Sequence, residues 1–235
     1  MLGVLGGMGP LASAQFMARL TLLTPAARDQ DHIPAVLWSD PRVPDRTGGK
    51  GGGGDPLPWL LRGIAGLRAA GCAAIAIPCN TAHGWYEPMA EAAGCPILHI
   101  VDAAAEELAR LGISPGTADR PRRIGVMGTS GTLAMRLYQN RLGTRGYDCL
   151  VPDADEMARL VSPAIALVKA NQVAEAYAPL AETVQSLAAR GAEAVVLGCT
   201  EIPLGIQAGP YRSLPVPLAD TIDGLARAAI RWARG

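Results

Sequence analysis

Apolar residues fall along this chain in two alternating modes. Short aliphatic or β-branched runs near 2–5, 33–38, 73–77 and 97–100 are separated by longer stretches whose apolar positions recur at helical spacing. The same alternation then restarts, with strand-like runs near 123–127, 147–151, 193–197 and 215–219. Helical patterns are predicted over 10–24, 57–70, 81–93 and 102–112, then 131–143, 154–169, 171–189 and 220–234. Strands alternating with helices predict a parallel sheet with crossover helices in each half. Pro10 suits a first helical turn. Two stretches interrupt the rhythm: "SPGTADRP" (114–121), a loop, and "PDRTGGKGGGGDP" (44–56), a glycine-rich segment with no core-forming residue, expected to be flexible.

The two halves are related in sequence. "GVLGGMGPLA" (3–12) matches "GVMGTSGTLA" (125–134) at six of ten positions with an offset of 122. "GCAAIAIPCN" (71–80) matches "GAEAVVLGCT" (191–200) at an offset of 120, which places Cys79 on Cys199. "CPILHI" (95–100) has a looser counterpart in "LPVPLA" (214–219). Three blocks in constant order predict two pseudo-symmetric α/β domains, each with a four-stranded parallel sheet flanked by helices. The last amphipathic helix is expected to return to the first half, giving domains of 1–100 plus 213–235, and of 101–212.

Composition excludes several classes. The 235 residues are 49% hydrophobic, with 21 basic and 21 acidic side chains and zero formal net charge. No basic stripe points to nucleic acid or to an anionic membrane. No apolar run approaches the roughly 18 residues of a membrane span. The start "MLGVLGGMGP" lacks a basic n-region, so a soluble, cytoplasmic protein is expected. Five cysteines at irregular spacing suit neither a disulfide framework nor a zinc ribbon. "GGMG" and "GGKGGGG" lack the Gly-Lys-Ser/Thr of a phosphate loop. "GGMG" and "GTSG" could hold a carboxylate on backbone amides, or serve only as tight turns.

Cys79 and Cys199 remain as candidate chemistry. Both follow a predicted strand, where ligands of open α/β sheets bind. If the halves face each other about a pseudo-twofold axis, the thiols oppose one another across the cleft. Two opposed acid/base groups suit inversion at a carbon: one thiolate removes a proton and one thiol returns a proton to the other face. Asn80-Thr81 and Thr200-Glu201 can each start a helix, which would lower the preceding thiol's pKa. Burial as paired core residues is the plain alternative. Only two lysines, Lys50 and Lys169, accompany 19 arginines. Lys169, and Arg46 on the glycine-rich loop, are candidates to bind carboxylates.

These residues together resemble the aspartate racemase branch of the aspartate/glutamate racemase family, which works without pyridoxal phosphate. The resemblance covers nearly the whole chain and rests on "GVLGGMGPLAS", "TPAARDQDHIPAVLWSDPRVPDRT", "IPCNTAH", "GTSGTLAMRLYQ" and "LGCTEIPL". It implies catalysis by Cys79 and Cys199, and substrate binding by Arg46, Asn80, Thr81, Thr129, Lys169 and Thr200. It implies a homodimer with its site between the domains, an amino-acid substrate, and neither cofactor nor metal. Glutamate racemases begin with Asp-Ser-Gly and carry histidine after the second Cys-Thr; here "LGGMGP" and Glu201 stand in those places, which favours the aspartate branch. Aspartate is the first expected substrate, with glutamate or a broader set next. Other readings are a cysteine-dependent isomerase or decarboxylase of the same superfamily, and a non-enzymatic amino-acid-binding module. A pyridoxal enzyme would need Lys169 as its Schiff base and lacks a phosphate loop.

Overall fold

The computed structural model describes residues 1–46 and 54–235. The greater part of the glycine-rich segment expected to be flexible, residues 47–53, lies outside the described residues. The first half contains strands β1 (Leu2–Gly6), β2 (Ala35–Ser39), β3 (Ala74–Ala76) and β4 (Ile97–Leu98), with helices α1 (Pro10–Leu23), α2 (Leu57–Ala69), α3 (Tyr86–Ala93) and α4 (Ile100–Arg110). The second contains β5 (Arg122–Gly128), β6 (Tyr147–Leu150), β7 (Val195–Gly198) and β8 (Leu218–Asp220). Its helices are α5 (Ser130–Ala134), α6 (Leu137–Gly143), α7 (Ala154–Glu156), α8 (Ser162–Lys169), α9 (Tyr177–Ala189), α10 (Ile202–Gln207) and α11 (Thr221–Arg234).

The two sheets have the same topology. Their orders are β2-β1-β3-β4 and β6-β5-β7-β8, with every pairing parallel. Each of the eight predicted strands is present. Central β1 and β7 are buried along their whole length, which explains why they read as continuous aliphatic runs rather than alternating ones.

Local differences have local causes. The helix expected over 131–143 breaks between α5 and α6, where Arg136 adopts a left-handed φ of 53°. The helix expected over 154–169 runs α7 to α8 through a π turn at Met157–Val161. α4 begins two residues early because the His99 ring accepts the Val101 amide and caps it.

A single core lies between the halves. Leu2 and Phe16 from the first half meet Ile124, Tyr138 and Val196 from the second, with Ile100, Leu108, Ile222 and Leu225 of α4 and α11 among them. Separate apolar clusters cover the outer face of each sheet. Ion pairs stitch the central layer: Arg19 of α1 to Asp223 of α11 at 2.5 Å, and Arg141 of α6 to Asp102 of α4 at 2.5 Å. α11 packs on α1 and α4 of the first half. The preceding strand β8 pairs with β7. Of the segment 213–235 placed on sequence with the first domain, the strand belongs to the second sheet and the helix packs on α1 and α4. No described helix is long and apolar enough to cross a membrane.

Candidate active site

Strands β3 and β7 occupy equivalent places in their sheets, and both end facing the junction of the halves. β3 continues through Ile77 and Pro78 to Cys79; β7 continues directly to Cys199. Gly198 is required there, because a Cβ would press on the Met127 carbonyl and the Tyr138 ring. Both cysteines line one small closed cavity, together with Arg46, Asn80, Thr81, Thr129, Lys169 and Thr200. All eight residues singled out in the sequence therefore meet at one place. Met8 and Glu201 complete the lining.

The space at the centre is about 10 Å³, room for no more than a water. Met8, Arg46, Lys169 and Glu201 also line a neighbouring chamber of about 610 Å³, which is walled by Pro10, Leu11, Pro41, Val43 and Val168. These four side chains form the partition between chamber and cavity.

Arg46 is not a solvated loop residue. It is 8% exposed. Its Nη1 donates to the carbonyls of Val43 (3.0 Å) and Pro44 (2.6 Å), and Nη2 donates to that of Met8 (3.3 Å). Its Nε is buried without a hydrogen-bond partner among the described residues. A buried guanidinium with an unused donor is a prepared site for an anion. Lys169, the last residue of α8, is exposed and completes the cationic side of the lining.

Hydroxyls and amides line the other side. Thr81, Thr129 and Thr132 form a triangle of hydroxyl contacts at 2.9, 3.0 and 3.0 Å. Thr129 also caps α5 by accepting the Thr132 amide at 3.1 Å. Asn80 is held by a relay: Tyr138 donates to its Oδ1, its Nδ2 donates to Thr221 Oγ1 at 3.3 Å, and Thr221 donates to the Leu197 carbonyl at 2.8 Å. Behind Cys79, His83 Nδ1 donates to the Cys79 carbonyl at 2.9 Å while its Nε2 accepts the Ile100 amide at 3.2 Å, which fixes the neutral tautomer. In the first glycine turn, the Gly7 amide is already bonded to Ser13 Oγ at 2.9 Å, which suits the tight-turn alternative.

The thiols do not have the lowered pKa that helix starts suggested. Burial pushes Cys79 up, partly offset by the Arg46 guanidinium and the Ala82 amide. Cys199 is pushed up further, by burial and then by the Glu201 carboxylate, whose Oε2 accepts its S–H at 3.0 Å. Burial in the closed cavity outweighs the backbone amides. Sequence reasoning passed over four contributors: Met8, Thr132, Tyr138 and, as a site residue, Glu201. A Thr-x-x-Thr capping pattern at 129–132 was available as a signal; Tyr138 offered none.

The chain is 26% identical over 98% of its length to the broad specificity amino-acid racemase RacX of Bacillus subtilis, covering 96% of that protein. Its fold matches Picrophilus torridus aspartate racemase with a TM-score of 0.81 and 28% identity, over 99% of this chain and 94% of that one. It also matches the fold of glutamate racemase from Francisella tularensis, solved with D-glutamate, at a TM-score of 0.71 and 16% identity, over 98% and 80% of the two chains. Residues 5–229 match the Asp/Glu/Hydantoin racemase family, and the chain belongs to that family.

Proposed function

We propose that this chain is a cofactor-independent amino-acid racemase that interconverts enantiomers by two-base proton transfer between Cys79 and Cys199, with aspartate as its first substrate. The observation that carries this reading is the convergence of both thiols with a buried, under-bonded Arg46 in one cavity at the carboxyl ends of the two sheets. In this reading Thr81, Thr129, Thr200 and Asn80 would hold the α-carboxylate and α-ammonium. Arg46 and Lys169 would receive the side-chain carboxylate. One thiolate takes the α-proton, the carbanion is stabilised by the surrounding donors and cations, and the opposite thiol supplies a proton to the other face. Retention of both cysteines disfavours a single-thiol isomerase or decarboxylase, and a binding module would need neither.

A broader specificity is the second reading. It is favoured by the 610 Å³ chamber beyond Arg46 and Lys169, and by the relative in Bacillus subtilis. The homodimer implied by the family resemblance belongs to the same proposal and is checked by light scattering.

The test follows L-aspartate in D2O by proton NMR, with chiral chromatography for D-aspartate. Loss of the α-proton signal with formation of D-aspartate is expected, and Cys79→Ala or Cys199→Ala should abolish both while the fold persists. Near wild-type turnover in either variant would refute the two-base mechanism. Activity on glutamate or neutral amino acids but not on aspartate would select the second reading.

A further inference from the structure

His83 has two neighbourhoods. Its ring holds the Cys79 carbonyl and the Ile100 amide, and it also lines a second cleft of about 250 Å³ that shares no lining residue with the catalytic cavity. The first half gives this cleft His83, Tyr86 and Glu87 around the start of α3, and His99 just ahead of α4. The second half gives Asn140 and Arg141 of α6. The volume falls below the roughly 300–1,000 Å³ of sites for drug-sized ligands, so it suits one small molecule.

The lining complements a zwitterion. Arg141 spends Nε and Nη2 on Asp102, at 2.5 and 2.7 Å, and its Nη1 has no acceptor among the described residues. Asp102 also pairs with Arg145, so two guanidiniums share one carboxylate and the group keeps a net positive charge. His99 Nδ1 accepts the Val101 amide at 3.2 Å, which puts the ring proton on Nε2, a second donor without an acceptor among the described residues. Burial lowers His83 to about 4 and His99 to about 3, so at neutral pH neither ring is charged. Arg141 Nη1 and His99 Nε2 are thus available to a carboxylate. On the opposite side, Glu87 is exposed and in no ion pair among the described residues. Its carboxylate and the exposed side-chain carbonyl of Asn140 can receive an ammonium group. Rings wall the space between: His99 lies 4.9 Å from His83 and 4.6 Å from Tyr86, tilted by 59° to each. A further ring packs on such a wall at centroid distances of roughly 4.5–7 Å.

We propose that this cleft is an effector site for a free aromatic α-amino acid. Its carboxylate sits on Arg141 and His99, its ammonium on Glu87 and Asn140, and its side chain on the rings of His83, Tyr86 and His99. Such a ligand joins α3 of one half to α6 of the other. The catalytic cavity, at about 10 Å³, admits no amino acid in this arrangement, so its walls must part for substrate to enter. A ligand that fits the cleft as it stands favours this closed arrangement over an open one. It therefore opposes substrate entry and raises KM. That effect rests on the racemase reading; the binding does not.

Binding is tested by isothermal titration calorimetry of the whole chain with L-phenylalanine. Phenylpropionate lacks the ammonium, phenylethylamine lacks the carboxylate and L-alanine lacks the ring; each should bind at least about tenfold more weakly, the size of one lost hydrogen bond to a charged group. Glu87→Gln should weaken phenylalanine by a similar factor, and Asn140→Ala should act in the same direction. Both positions are exposed, so neither change threatens the fold. No binding up to the solubility limit of phenylalanine, or binding unaltered in both variants, overturns the site. Equal affinity for any of the three analogues overturns the chemistry assigned to it.

The effector role is read in turnover. Saturating phenylalanine should raise KM for L-aspartate by about fivefold or more, the lower end of allosteric couplings, and Glu87→Gln should remove the response. No rise overturns the effector role. A rise that persists in Glu87→Gln is competition in the catalytic cavity and overturns it equally. A chain that binds phenylalanine through Glu87 yet racemises nothing keeps the site and removes both the racemase reading and the effect on KM.

Discussion

Tyr138→Phe tests whether the site is supported by the core beneath it. Tyr138 is fully buried in the layer between the sheets, and its hydroxyl donates to Asn80 Oδ1. Asn80 is 2% exposed and follows Cys79 directly. Removing the hydroxyl leaves the buried Asn80 Oδ1 without its donor. A buried acceptor stranded in this way costs about 1–3 kcal/mol. For a chain of this length that corresponds to a fall in Tm of about 2–12 °C, at roughly 2–4 °C per kcal/mol. Differential scanning calorimetry and urea unfolding measure the loss. A double-mutant cycle with Asn80→Ala should return a coupling of about 0.5–3 kcal/mol. The remaining Asn80–Thr221–Leu197 relay leaves the amide held at one end only, so kcat/KM should also fall. A change in Tm under 1 °C with a coupling near zero would show that the hydroxyl does not hold Asn80, and the relay would be refuted.

Arg46→Ala should reduce kcat/KM for acidic amino acids by at least tenfold more than for neutral ones; equal loss on both would separate Arg46 from the side-chain carboxylate. His83 is buried, and burial lowers its pKa from 6.5 to about 4. The unfolded chain therefore takes up the proton first, so this stability is whole above pH 6.5 and is lost as pH falls towards 4. At 1.36 kcal/mol per unit, the loss is roughly 3 kcal/mol. His83→Gln should flatten the stability profile between pH 7 and 4 relative to the parent, and parallel profiles would contradict the assignment. Gly198→Ala should destabilise the chain by about 1–3 kcal/mol through overpacking against Tyr138 and the Met127 carbonyl, read as a lower urea midpoint at unchanged slope.

What the sequence revealed followed the range of the forces involved. The strands were legible because burial on both faces writes unbroken aliphatic runs, and the duplication fixed which strand ends correspond. Helix limits were less so: the break at Arg136 carries no glycine to announce a left-handed residue, and the π turn at 157–161 changes no side-chain pattern. Arg46 reads as a surface residue beside prolines and glycines, yet the Met8 carbonyl, 38 positions away, helps bury it. The thiols show the same limit in their chemistry. A helix start is a local signal and predicted a lowered pKa, whereas the closure that raises it comes from both halves at once. Residue 201 joins the two cases. Its side chain was legible as a mark distinguishing one branch of a family from another. Its hold on Cys199 became visible only when the fold placed that carboxylate in a cavity with no cation paired to it among the described residues.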